Sequence, residues 1–163
     1  MQVLYEFTPT HDGFSGVLTP LVIILLWDLA LWHEHQKGRP IQETTFLLTK
    51  IITILFLIIF PSIFLLYHHE YNATIKCLED ETYLTEQGPV EEFHPMPASG
   101  HDTEHFVIDG IEFSFSEGDH SNFGYQTTSV NGGVIKGDGQ NLEIHYRITY
   151  NGSNAILYIA EIE

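Results

Sequence analysis

The chain has 163 residues, 44% of them hydrophobic and 17% charged, with a formal net charge of −16 and one cysteine, Cys77. So acidic a chain lacks the Lys and Arg that release counterions from nucleic acid, which argues against a nucleic-acid partner. A lone cysteine excludes an intrachain disulfide and any CxxC metal or redox motif, and Cys77 is expected to be a small buried apolar residue.

Residues 1–16 read as a short extracytoplasmic tail, because the stretch FTPTHDGFSG is rich in turn formers. Two long apolar runs follow. VLTPLVIILLWDLALW predicts a first transmembrane helix over 17–33. IITILFLIIFPSIFLLY, extended back through Phe46-Leu47-Leu48, predicts a second over 46–68. Each is close to the ~20 residues a helix needs to cross a hydrocarbon core. Lys37, Arg39 and Lys50 lie in or beside the connecting loop, 34–45, whereas the tail carries Glu6 and Asp12 with no Lys or Arg. Positive charge stays inside, so the loop is predicted to be cytoplasmic and both termini extracytoplasmic. No basic segment precedes the first run and no small-residue cleavage site follows it, so that span is expected to remain as an anchor. Asp28 falls within it. The carboxylate suits either a relay or interhelical polar contact, or an inner-interface position beside Trp27 and Trp32, and the second is expected.

Residues 69–163 are numerous enough for one small domain, and here the pattern changes from runs to alternation. Strands are predicted around Val90 to His94, over Phe106-Val107-Ile108 and Ile111 to Ser116 on either side of an Asp109-Gly110 turn, around Gly133 to Lys136, and in a second hairpin from Leu142 to Ile162 turning at Asn151-Gly152-Ser153. No helix of more than a turn or two is expected there. The predicted fold class is therefore a membrane-anchored all-β protein, two transmembrane helices followed by a small antiparallel β-barrel of OB-like topology.

The stretch from about Gly88 to Glu163 contains Gly88-Pro89-Val90-Glu91-Glu92-Phe93-His94-Pro95-Met96-Pro97, Gly100-His101, Glu104-His105-Phe106, Gly132-Gly133 and Ile144 through Tyr150. It resembles the small outer β-domain of a group of uncharacterised bacterial two-span membrane proteins. The resemblance implies a bacterial origin, and hence the inner membrane, together with a shared fold; it implies no activity.

The densest polar cluster is His94 to His105, with three imidazoles, the carboxylates of Asp102 and Glu104, and the Met96 thioether. His94, His101 and His105 are the candidate ligands for zinc or copper, which need three or four such groups to converge. The other reading of these histidines is loop ordering by hydrogen bonds, which is the expected one. His68-His69 are expected to be interfacial. Asp119-His120-Ser121 names triad members, but a triad is made by geometry rather than by adjacency in sequence. No GxSxG or HExxH motif occurs.

The function expected is a non-enzymatic, membrane-anchored binding or assembly module acting on a membrane-protein partner or as a homo-oligomer in the lipid bilayer. Two alternatives remain. One is an extracytoplasmic metal-handling protein using the histidine-rich loop; the other is an accessory or protector subunit whose spans meet a larger complex through Asp28.

Overall fold

The computed structural model describes residues 1–9, 15–38, 43–100, 102–118 and 123–163. In chain order these form β1 (Gln2–Glu6), α1 (Ser15–Gln36), α2 (Glu43–Glu79), β2 (Leu84–Pro89), β3 (Glu91–His94), β4 (Glu104–Ile108), β5 (Ile111–Phe115), β6 (Asn141–Ile148) and β7 (Asn154–Glu161), with a short 3₁₀ turn at Ser129–Asn131. The chain divides into two compact units, Thr10–His68 and a second made of Met1–Pro9 with His69–Glu163.

In the first unit α1 and α2 expose apolar side chains all round, including Val22, Leu26 and Leu29 of α1 and Ile52, Ile58 and Ile63 of α2. A water-soluble helix buries one apolar face, and contiguous exposed apolar surface marks a protein or membrane interaction. Among the described residues α2 is long and apolar enough to cross a membrane. Its polar side chains satisfy themselves: Thr49 Oγ1, Thr53 Oγ1 and Ser62 Oγ each donate to the carbonyl four residues back, at 2.8, 3.0 and 2.9 Å. That removes the cost of an unpaired hydroxyl in an apolar setting.

The second unit contains two antiparallel sheets, ordered β1-β7-β6-β2 and β3-β4-β5. One core lies between them, with Phe106, Ile108, Phe113 and Phe115 from the smaller sheet and Leu142, Ile144, Tyr146, Ile156 and Ile159 from the larger. Its rings interlock: Phe106 stacks on Phe113 at 5.3 Å and Phe113 meets Tyr146 edge-on at 5.1 Å. The β4–β5 hairpin turns on Asp109 and Gly110, with φ of 48° and 79°. Both central residues are left-handed, as the tightest hairpin turn requires.

The all-β barrel expectation needs correction, because the fold mixes helix with two separate antiparallel sheets and no closed barrel forms among the described residues. Helix α2 runs on to Glu79, well past the predicted end of the second span. Its continuation buries Glu70, Thr74 and Cys77, the spacing of one helical face, but two of these three are polar, so no hydrophobic period marks it. The predicted tail contains β1, which pairs with β7 through Gln2 opposite Glu161 and Glu6 opposite Tyr158. Residues 133–136 are an irregular segment, although Ile135 is buried. Side chains replace a ladder there: Val134 N donates to Tyr125 Oη (2.6 Å), Lys136 N to Gln140 Oε1 (2.8 Å), and Gln140 Nε2 to the Val134 carbonyl (3.2 Å).

Tyr5 carries β1 into the core, where its ring meets Tyr125 edge-on at 4.9 Å. Burial, reinforced by the Tyr125 phenol, raises the Tyr5 pKa from 10.0 to about 12. The folded state therefore holds this proton more tightly than the unfolded chain does. The resulting stability is fully present below pH 10 and is lost as pH rises through the window from 10.0 to about 12. Thermal melts across that window should show a falling midpoint, and Tyr5→Phe should flatten the fall.

Candidate functional site

The polar cluster read from the sequence lies where the β3–β4 connection meets the segment following β5. His94 and His105 are directly opposed across β3 and β4. Their rings stack at 4.7 Å, and Asp102 Oδ2 stands 3.3 Å from His94 Nε2. His101 lies outside the described residues, as do Asp119, His120 and Ser121. The structure thus brings together two of the three predicted ligands. Among the described residues no group of three or more His, Cys, Asp or Glu could hold a metal ion.

Beside this pair opens a groove of about 550 Å³ lined by Met96, Gly100, Asp102, Thr103, Ser116, Glu117 and Gly118. Its two carboxylates are fixed by donors. The Thr103 backbone N–H, then His94, holds Asp102 below the usual carboxylate range. Asn131 and Thr128 do the same for Glu117, with contacts of 2.7–3.2 Å. Groups stabilised as anions are suited to ion pairing more than to proton exchange near neutrality.

Glu104, which begins β4, builds this region from beneath. Fully buried, it accepts from Ser129 N at 2.9 and 3.0 Å, Ser129 Oγ at 2.6 Å and Met96 N at 3.3 Å. It ties the β3–β4 connection and the 3₁₀ turn to one strand. A Cβ at Gly133 would stand 2.4 Å from the Thr127 carbonyl oxygen, so only glycine lets this loop close.

Two further polar places were hidden or only half visible in the sequence. In the helical unit, half-buried Asp28 lines a cavity of about 200 Å³ with Leu31, Trp32, Phe46, Thr49 and Lys50. Lys50 Nζ lies 4.2 Å from the Phe46 ring centroid, and His35 stacks on the same ring at 5.2 Å. On the larger sheet, His145 of β6 is sandwiched between Tyr83 at 4.5 Å and Tyr158 at 4.6 Å. Glu143 Oε1 lies 3.0 Å from His145 Nε2, and Gln87 Nε2 donates to Glu143 at 2.5 Å. Alternation predicts that His145 and Tyr158 share a face; that Tyr83 joins them follows only from the β2–β6 pairing.

Compared with known proteins, the chain matches no family model, no curated protein sequence and no solved structure.

Proposed function

We propose that the chain is a two-span protein of the bacterial inner membrane that holds its acidic sheet unit on the extracytoplasmic face as a non-enzymatic binding or assembly module. One observation carries the reading: β1, which precedes both helices, pairs with β7, which follows them. A chain that leaves a folded unit and returns to it ends on the side where it began. If α2 crosses a bilayer, an even number of crossings is required, and α1 is the segment available for the second. Lys37 and Arg39 between the helices, with Lys50 in the N-terminal part of α2, then favour a cytoplasmic connection. The two groove carboxylates, held as anions, and the acidic surface favour recognition of a partner over turnover of a substrate.

Reporter fusions test this arrangement. A reporter active only in the cytoplasm should work when inserted between Lys37 and Glu43 and fail when fused after Glu163. The reverse pattern would put the sheet unit inside, and activity at both positions would mean an odd number of crossings; either sinks the proposal.

A further inference from the structure

We propose that the part of the outer face of the four-stranded sheet around Tyr158 and Glu6 docks a lysine- or arginine-bearing segment of an extracytoplasmic protein, with the Tyr83–His145–Tyr158 ladder as its platform. The inference rests on the binding-module reading and names the chemistry of its partner. The core side of this sheet is given by Leu142, Ile144 and Tyr146, so Glu143 and His145 face the other way. The three rings, from the residue preceding β2, from β6 and from β7, are nearly parallel, with interplanar angles of 7° and 24°. Their ordering is already made in the free protein, which lowers the cost of binding.

The surroundings of the ladder are acidic. Glu6 of β1 is the cross-strand neighbour of Tyr158 and is exposed. Glu143, 14% exposed, pairs with the central ring, His145, and the exposed run Glu79-Asp80-Glu81 leads into Tyr83. Of the bases in residues 69–163, Lys76, Lys136 and Arg147, the last is buried against Glu70. The Tyr158 face turned away from His145, beside the exposed Glu6 carboxylate, suits a guanidinium or an ammonium: the ring attracts the cation and the carboxylate pairs with it. At Tyr158 and Glu6 both elements stand side by side. A phosphate or an anionic headgroup would meet repulsion at the same place.

The test uses the full chain in mild detergent and a fluorescein-labelled peptide of alternating arginine and glycine, read by fluorescence anisotropy at fixed salt. Tyr158→Leu keeps apolar bulk and removes the π-face; it should weaken binding roughly two- to fivefold, whereas Tyr158→Phe should bind like the parent. Combining Tyr158→Leu with Glu6→Gln should weaken binding about tenfold. Glu91→Gln with Glu92→Gln removes charge from the other sheet and should change affinity less than twofold if the ladder is the site. A loss from the Glu91/Glu92 pair as large as that from the Tyr158→Leu, Glu6→Gln combination would reveal general attraction of a polycation to an acidic protein and overturn the proposal. Unchanged binding by Tyr158→Leu, or no binding by the parent, would overturn it as well. Membrane topology is read separately by the reporter fusions, so these failures leave the anchored-module reading standing.

Discussion

Arg147→Met should destabilise the sheet unit by about 3–5 kcal/mol, a large share of a total stability of only ~5–15 kcal/mol. The guanidinium of β6 lies against the continuation of α2. Its Nη2 pairs with the Glu70 carboxylate and donates to the Glu70 carbonyl at 3.2 Å, its Nε donates to Thr74 Oγ1 at 2.8 Å, and its Nη1 reaches the Ile148 carbonyl at 3.4 Å. Both side chains are nearly sealed from water, at 9% and 4% exposure. Removing the cation leaves a buried carboxylate without its charge partner, and that uncompensated charge causes the loss. The double variant Arg147→Met with Glu70→Leu should recover most of it, because apolar groups of similar volume can replace a buried pair at little cost. Thermal melts of the four chains form a double-mutant cycle. If the single and double variants melt alike, the pair contributes nothing specific.

Phe113→Asp should abolish cooperative folding of the sheet unit. Phe113 is 0% exposed, lies opposite Phe106 in the β4–β5 hairpin, and touches a ring of the other sheet, Tyr146. Among the described residues the core around Phe113 holds no cation to answer a carboxylate there, and the lost aromatic contacts add to the penalty. Phe113→Leu, which stays apolar, should cost far less and retain the β-type far-UV spectrum. A folded Phe113→Asp chain with an unchanged spectrum would contradict the core assigned here.

What could be read from the sequence depended on whether one local signal matched one physical cause. The Asp109-Gly110 pair lies at the β4–β5 turn because few residues accept two successive left-handed conformations. The alternation from Leu142 gives β6 because one face of it is core, whereas β7, buried at Ala155, Ile156 and Leu157 in succession, reads as a strand from its apolar run after the Asn151-Gly152-Ser153 turn. Where burial was polar, the same reasoning had nothing to detect: Glu70 and Thr74 add no apolar period, although they are sealed against Arg147. Strand β2, with the sequence LTEQGP, has no apolar alternation and exists because the edge of β6 receives it from Leu84 to Pro89. Residues 133–136 misled in the other direction, since a β-rich tetrapeptide with Ile135 in the core is held by the Tyr125 and Gln140 side chains instead of a neighbouring strand. The histidine cluster was legible as composition; the opposition of His94 to His105 required the register of β3 on β4.

The pairing of β1 with β7 also orders events in time. A ribosome makes Gln2–Glu6 about 150 residues before Asn154–Glu161, with both helices between them. Closing so long a loop is slow, and contacts of high sequence separation form late in folding. During that interval the β1 side of β7 is an open edge with unpaired backbone groups, which will accept any extended segment that presents itself. The equivalent strand of a neighbouring nascent chain fits it as well as the protein's own. High local synthesis should thus favour exchanged dimers linked through β1, and slow synthesis the self-closed form.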